Sequence, residues 1–425
     1  MKFLFLIFSL LGCTQLGLKP ESQLGINSPE HLGKPIVLMI SIDGYRHDYN
    51  ELYKPPFLSR FAKEGVQAKG LIPVYPTNTF PNHYSLVTGL YPDHHGIVSN
   101  VFYAPDLDLH YSLRDSEAVT NGKFYGGVPL WSLARLQGMV SATYFWPGSE
   151  AEIAGVRPHY YLKYDHDKPH DDRVNTVLNW LKLPAKNRPH FVTVYFSAVD
   201  SAGHAHGPNS EQVATAVQEV DKHIERLVTE AQKLNLPLTI MIVSDHGMTA
   251  LSFDKVEVID DQMKTPDEKE AFKNFLVDGS GPFIFYHHTG EKSKKQSDLK
   301  LVLKALNRAK YFKTYQRGTL PKHLNFNKNP RMGEMVSIAD PGYTIGAKNR
   351  LRVIAGMHGF DPSRSKDMEG IFMAQGPSLV TEKTMKSFEN IHVYPLVAKI
   401  LGLEIKEPID GKLSVTKEIL KPDQK

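Results

Sequence analysis

Three apolar runs that each close on an aspartate constrain this chain more than any other feature. Residues 35–42 (PIVLMISI) lead into Asp43-Gly44, residues 190–198 (HFVTVYFSA) into Val199-Asp200, and residues 238–244 (LTIMIVS) into Asp245-His246-Gly247. A short continuous apolar stretch bounded by turn residues is the pattern of a strand buried on both faces. Helical patterns alternate with these runs over 56–65, 81–89, 128–137, 210–234 and 389–402. Further strand patterns lie at 67–74, Val140–Phe145, 351–356 and Gly370–Ala374. The alternation predicts an α/β fold, a mostly parallel sheet flanked by helices. Ligands of such sheets sit beyond the carboxyl ends of the strands. Three aspartates far apart in sequence therefore converge at one edge, and packing three carboxylates together requires a cation.

The histidines near those aspartates indicate what kind of cation. Asp200-x-x-x-His204 places a carboxylate and an imidazole four apart, on one face if the segment is helical. Asp245-His246 sets two donors back to back, where Gly247 permits the turn that lets both face one site. His358 lies in Gly356-Met357-His358-Gly359, a close-packed glycine loop suited to a ligand. Any one of these residues alone is an ordinary core or capping group; it is the common frame that points to metal. Imidazole and carboxylate donors without thiolate suit zinc at catalytic sites, and a pair of ions fits six donors shared three and three. The single cysteine among 425 residues excludes a disulfide framework and a Cys-rich zinc module. A net charge of +4 spread over this length gives no basis for binding a nucleic acid duplex.

That cysteine has an informative position. Lys2 precedes an apolar run over residues 3–11 that ends in Leu10-Leu11-Gly12-Cys13. The run suits a secretory signal and is too short to span a bilayer. Its end resembles a bacterial lipobox, which implies cleavage before Cys13 and lipidation of its sulfur. The expected organisation is a signal peptide over 1–12, a lipid-anchored tether over 13–33 and a catalytic domain over 34–425, with 251–350 as an inserted cap. The protein is then exported to the periplasm or cell surface, and membrane contact runs through the anchor alone. Lys292–Lys295 reads as a solvated loop.

A larger resemblance rests on an ordered set of motifs: Ile42-Asp43-Gly44, PTNTFPNH at 76–83, TGLYPDHHGIVSN ending at Asn100, WPGS at 146–149, DSAGHAHGP at 200–208, SDHGM at 244–248 and GMHGFDP at 356–362. In these the chain resembles the nucleotide pyrophosphatase/phosphodiesterase family of the alkaline phosphatase superfamily, over about residues 35–403. The resemblance implies two Zn2+ ions, one held by Asp200, His204 and His358 and the other by Asp43, Asp245 and His246. It implies that Thr79 is the nucleophile and also contacts metal, and that Asn100 holds phosphate oxygens. The expected activity is hydrolysis of nucleotide diesters and pyrophosphates to nucleoside monophosphates through a covalent threonine intermediate.

Elementary chemistry agrees with these roles. A zinc ion lowers the pKa of a threonine hydroxyl as it does that of bound water. Thr79 precedes a helix expected to open at Pro81, whose first amides favour phosphate. Two dications against three aspartates leave one positive charge, which matches a diester, and no motif supplies the further cations a monoester would want. The resemblance also implies a base sandwiched between Phe80 and a tyrosine after WPGS. Tyr164 falls at that place, with Tyr160 and Tyr161 as competitors and Trp146 as a third aromatic at the site. Facing rings bind any base, but aromatics also cage a choline group. A glycerophosphodiester or lysophospholipid head-group phosphodiesterase is therefore an alternative on the same metals, and a non-catalytic surface binding protein is a third. A sulfatase is disfavoured, since its nucleophile derives from Cys or Ser in its own motif. Glu150 stands where many relatives carry Asp, and the spacing from Asp200 favours His204 over His206 as ligand.

Overall fold

Residue alternation on β1 (Ile36–Ile42) explains the architecture. All seven side chains are buried, but Val37 and Met39 enter one core while Ile36, Leu38, Ile40 and Ile42 enter another on the opposite face. The central strands thus have no solvent face, and their sequences show no polar alternation.

The computed structural model describes residues 24–422 apart from Phe253, Arg350, Arg352 and Val353, so the expected signal segment and Cys13 lie outside the described residues. In chain order after β1 come helix α1 (Pro56–Glu64), β2 (Val66–Ala68), α2 (Thr79–Thr88), β3 (Ser141–Tyr144) and β4 (Tyr160–Leu162). Next are α3 (His170–Leu181), β5 (Phe191–Phe196), α4 (Ala198–His206), α5 (Glu211–Gln232) and β6 (Leu238–Val243). The main sheet is completed by β11 (Phe372–Gln375) and β12 (Lys383–Met385), followed by α7 (Val393–Leu401). The eight strands run in the order β12-β2-β11-β6-β1-β5-β3-β4. β1 lies parallel to both β5 and β6, with Val37 opposite Phe191 and Thr239. Only β11 runs against its neighbours β2 and β6. The mostly parallel α/β sheet is the one expected.

Helices cover both faces. Leu86 and Val87 of α2 and Leu396 and Val397 of α7 join the first core. Phe57 and Leu58 of α1, Val174 and Leu178 of α3, and Val213, Val217, Val220 and Ile224 of α5 join the second. The spacing on α5 is the apolar stripe of an amphipathic helix. Ser210 caps it by accepting from the Val213 N–H. Each fully buried Val or Ile contributes about 1.5–3 kcal/mol, so Val220→Asp on this stripe would undo the packing of α5.

Between β6 and β11 lies a four-stranded antiparallel sheet made of β7 (Phe275–Asp278), β8 (Phe283–His288), β9 (Phe312–Gln316) and β10 (Met335–Ala339), ordered β7-β8-β10-β9, with α6 (Lys295–Leu306). One face, with Ile284 and Tyr286, packs on Leu299 and Val302 in its own core. The other, with Phe283 and Phe285, joins the first core beside Tyr75 and Phe326. Lys295 opens α6 and pairs with Glu334 at 2.7 Å, so the basic patch is partly structural.

Several expectations need correction. The strand expected over 67–74 is two short pieces, Val66–Ala68 and Leu71–Ile72. Of the strand expected at 351–356, the described residues show the pair Gly356–Met357, antiparallel to Thr249–Ala250. Helix α3 is absent from the sequence-based expectation because its first turn, HDDR, hides the apolar positions behind it. Of the segment expected as tether, residues 25–28 are docked on the domain. Asn27 is 3% exposed; its side chain donates to the Ala185 and Arg188 carbonyls and accepts from the Val140 N–H.

Candidate active site

Asp43 directly follows β1, and Asp245 stands two residues beyond the end of the adjacent parallel β6, so their carboxylates meet as the topology requires. Asp200 is placed differently from the expectation. β5 ends at Phe196, and Asp200 is the third residue of α4, one turn above His204 on the same helix. Gly44 makes that approach feasible. It has φ +67°, and a Cβ there would lie 2.9 Å from Asp200 Cα. Gly247 is required for space rather than for an unusual φ, since a Cβ would come within 2.1 Å of the Asp367 carbonyl oxygen.

Three histidines present the same nitrogen to the site. His204 Nδ1 bonds the Gly356 carbonyl at 2.9 Å, His246 Nδ1 that of Gly247 at 2.8 Å, and His358 Nδ1 that of Thr77 at 2.9 Å. A carbonyl can only accept, so each Nδ1 carries a proton and Nε2 is the nitrogen left to face the site. The Nε2 atoms of His204 and His358 nonetheless face each other at 3.1 Å. His246 Nε2 lies 3.4 Å from Asp43 Oδ1 and 3.0 Å from Asp245 Oδ2; Asp200 Oδ1 lies 3.4 Å from His204 Nε2 and 3.7 Å from His358 Nε2. Two donors about 2.1 Å from one ion at tetrahedral or wider angles stand ~3.3–4 Å apart. The contacts of Asp43 and Asp200, at 3.4–3.7 Å, have the spacing of ligands on a shared ion, while His246–Asp245 and His204–His358 approach more closely.

The unpaired oxygens give the same result. Asp43 Oδ1, Asp200 Oδ1 and Asp245 Oδ2 are all buried without a hydrogen-bond partner, a costly state unless a cation satisfies them. Asp200, His204 and His358 offer donor atoms within 4.8 Å of one another, and so do Asp43, Asp200 and His246. Asp200 stands at the boundary of the two groups, while Asp245 adjoins the second through His246. The donor set suits a metal ion.

Electrostatics of the bare side chains show what a cation would relieve. Burial, then repulsion from Asp245 and Asp200, pushes the Asp43 carboxyl well above its ordinary range. Asp245 is held well below its own: burial would raise it, but His246 and His83 outweigh that. Burial, with His246 and His204 adding to it, drives His358 far down, keeping the ring neutral as a ligand must be.

Thr79 borders this cluster, with Oγ1 3.3 Å from His246 Nε2. It is the first residue of α2, which starts two residues before the expected opening at Pro81. Asn100 Oδ1 accepts the Phe80 N–H at 2.9 Å, which leaves its amide NH2 as the free end. Thr79, Asn100, Asp43, Asp200, His204 and His358 line a cavity of about 790 Å³, the size of a small-molecule site. Phe80 and Tyr164 also line it. Their ring contacts are with Tyr111 for Phe80 and with Phe145, Tyr195 and His166 for Tyr164, not with each other. Trp146 is 1% exposed, and its indole N–H donates to the His83 carbonyl at 3.0 Å, so it braces the site from the core side as well as lining it. Of the competitors, Tyr160 is a core residue stacked on Trp180, and Tyr161 lies on β4.

Residues 37–361 match the model of the family described as type I phosphodiesterase/nucleotide pyrophosphatase. The chain belongs to that family. Among relatives, it is 35% identical to mouse ectonucleotide pyrophosphatase/phosphodiesterase family member 1 over 402 residues, covering 92% of this chain and 43% of that protein. It is likewise 35% identical to a venom phosphodiesterase of Crotalus durissus collilineatus, covering 91% of this chain and 46% of the other. The chain thus spans less than half the length of these curated relatives. The solved structure of an inactive variant of mouse ectonucleotide pyrophosphatase/phosphodiesterase 5 in complex with AMP superposes with a TM-score of 0.83 at 26% identity, covering 91% of this chain and 100% of that one. The human family member 5 gives a TM-score of 0.82 at 28% identity. The fold is that of the phosphodiesterase family.

Four positions lie outside the sequence-based site. Tyr195 OH donates to Asp43 Oδ2 at 2.5 Å, and His83 reaches Asp245 Oδ2 at 3.2 Å through Nδ1 and Ser41 Oγ at 2.7 Å through Nε2. Both sit behind the candidate metal donors of this phosphodiesterase-family site. The signal for Tyr195 is one polar-tipped ring near the carboxyl end of an apolar strand; His83 belongs to the PTNTFPNH motif without an expected role. Arg114 and Lys163 line the cavity and supply the cations that the motifs did not reveal. Glu150 accepts the Tyr164 N–H at 2.8 Å, so the Asp-to-Glu difference bears on where Tyr164 stands.

Proposed function

We propose that this chain is a zinc-dependent hydrolase that cleaves phosphodiester and pyrophosphate bonds of nucleotides and releases nucleoside monophosphates. The observation that carries the reading is the Thr79 hydroxyl at the first turn of α2, 3.3 Å from His246 Nε2 and on the wall of a cavity faced by the metal-type donors. Asp200, His204 and His358 would hold one ion, and Asp43, Asp245 and His246 the other. When bound, the two ions lower the pKa of the Thr79 hydroxyl and neutralise charge on the phosphate. Thr79 Oγ then attacks phosphorus as its proton leaves to solvent, and the bond to the leaving oxygen breaks. Water attacks the resulting threonyl phosphodiester, frees the nucleoside monophosphate and restores the hydroxyl. The Asn100 amide donates to the phosphate oxygens, a term worth ~2.7–4 kcal/mol in comparable oxyanion sites. Arg114 and Lys163 would hold the additional phosphates of a pyrophosphate substrate, and Phe80 and Tyr164 the base.

The AMP complex of the mouse relative supports a nucleoside monophosphate as product. Residues 251–350 act in this reading as a cap: Asp278, Ser280, Pro282 and Phe283 line a second cavity that also touches Asn100, His204 and His358. The segment over 1–12 exports the chain and Cys13 anchors it by lipid. No described helix is long and apolar enough to cross a membrane. The test of the reaction is to quench turnover of the p-nitrophenyl ester of thymidine monophosphate and map the modified residue by mass spectrometry. Nucleotide attached to Thr79, with thymidine monophosphate as product, is expected; thymidine with free phosphate as the primary products would overturn it.

A further inference from the structure

Beyond the paired site, a third cluster with metal-ligand spacing lies among the described residues. His170, Glu219 and His223 each offer a ligand atom, and these atoms lie within 4.8 Å of one another. They come from two helices. His170 is the first residue of α3, while Glu219 and His223 stand four apart on one face of α5. His170 Nδ1 is buried and has no hydrogen-bond partner, although the side chain lies against a cavity of about 600 Å³. The Glu219 carboxylate is 3.8 Å from that nitrogen, too far for a hydrogen bond but within the separation of two donors on one ion.

The surroundings hold the rings in place. His170 meets Phe196 edge-on at 5.2 Å and His223 edge-on at 5.1 Å. Asp171 Oδ1, fixed by Arg226 Nη1 at 2.8 Å, stands 3.3 Å from His223 Nδ1. That carboxylate either orients the ring or supplies a fourth donor, as carboxylates do beside histidine ligands. Asp171 and Glu219 also set two negative charges against the positive end of α3 and against Arg173 nearby. Two imidazoles and a carboxylate are a zinc-type donor set.

We propose that His170, Glu219 and His223 bind a further divalent zinc-class ion that clamps α3 to α5. The ion lies one wall away from the catalytic cavity, since His166, Ser197 and Ser201 line both cavities and Ser201 follows Asp200. Its role is to brace the α3–α5 pair beside α4, where it touches neither substrate nor the donors of the paired site.

The test compares full-length wild type with Glu219→Gln and with the double variant Glu219→Gln/His223→Gln. Each is stripped with chelator, reloaded with excess zinc, freed of loose metal by gel filtration and analysed for zinc per chain. The double variant is expected to hold one zinc fewer than wild type, whatever the absolute count, and to keep its phosphodiesterase turnover. The melting temperature of wild type should rise with zinc by more than that of the double variant. If the double variant fails to fold, Glu219→Gln decides, because Glu219 is an exposed side chain whose change leaves the packing intact. It should bind this one ion at least tenfold more weakly in a zinc titration. Equal zinc content and equal zinc affinity in wild type and the folded variants would overturn the site. Because the readout is a difference between proteins sharing one catalytic centre, failure of the two-zinc reading would leave this test standing.

Discussion

Replacing Thr79 with alanine removes one oxygen, and the structure says what else depends on it. Oγ1 has a single partner, His246 Nε2 at 3.3 Å, and His246 keeps its contacts to Asp43 and Asp245 without it. The backbone carbonyl of Thr79, which bonds His83 Nδ1 at 2.9 Å, is unaffected. Alanine at a helix position gains about 0.5 kcal/mol of propensity over threonine, which offsets the weak hydrogen bond that goes with the hydroxyl. The net stability change should stay within about 1 kcal/mol, a shift in melting temperature of at most ~2–4 °C. Zinc content should be nearly unchanged, because the six principal donors remain. Turnover is another matter: without the nucleophile, at least ~4 kcal/mol of transition-state stabilisation disappears, a thousandfold or more in kcat. Initial rates on the p-nitrophenyl ester of thymidine monophosphate, with elemental analysis and a thermal melt of the same preparation, measure all three quantities. Residual activity within about tenfold of wild type, only ~1.4 kcal/mol, would mean that water attacks phosphorus directly and Thr79 is a bystander.

Chelation should inactivate the enzyme and zinc should restore it better than magnesium, given the imidazole-rich donor set; full activity of protein shown to be metal-free would refute this. Phe80→Ala and Tyr164→Ala should each lower kcat/KM for a nucleotide by roughly tenfold to a hundredfold, from a stacking term of about 1–3 kcal/mol. A wild-type preference for glycerophosphocholine in the same assay would instead favour the head-group reading. His95 is buried, accepts the Ile97 N–H at Nδ1, and has its pKa pushed down to about 3, chiefly by burial. Only the unfolded chain takes up that proton between pH 6.5 and about 3, so stability falls by ~1.4 kcal/mol per pH unit on acidification through this window and is fully present above it. In denaturant titrations His95→Asn should flatten that slope, and an unchanged slope would show that His95 protonates in the fold. Cys13→Ala should move the protein from the membrane fraction to the soluble exported fraction, as blotting of separated fractions would show.

The parallel core was legible because doubly buried strands leave unbroken apolar runs, and β1, β5 and β6 all show them. The donor set was legible for a related reason: a strand that ends in a carboxylate at a sheet edge exposes its chemistry in the sequence. What was not legible depends on contacts across the fold. Asp200 reads as a strand terminus because Ala198 and Val199 are apolar, yet the chain has already turned into α4. Gly247 reads as a conformational need, but it is the Asp367 carbonyl, 120 residues further on, that leaves no room for a side chain. His83 and Tyr195 carry no local signature of their contacts to Asp245 and Asp43. The His170, Glu219 and His223 cluster was hidden because it joins two helices, one of them unanticipated.

The two halves of the paired site differ in enclosure, and this suits different tasks. The side chains of Asp43, Asp245 and His246 are at most 2% exposed, whereas those of Asp200 and His204 are 15% and 28% exposed. The enclosed half sits at the ends of β1 and β6, where the sheet fixes it, and is backed by Tyr195 and His83. Thr79 touches this half through His246, so the proposed nucleophile is oriented by the enclosed half of the site. The open half rests on α4 and on the loop of His358, and it faces the cavity where a substrate arrives. Without metal, the enclosed half relieves its charge by raising the pKa of Asp43 while His246 and His83 keep Asp245 ionised. A cation there replaces a proton rather than filling neutral space, so metal affinity must rise as pH rises. The fold thus assembles three carboxylates that repel one another, and the same repulsion is the driving force for binding the ions that the proposed chemistry requires.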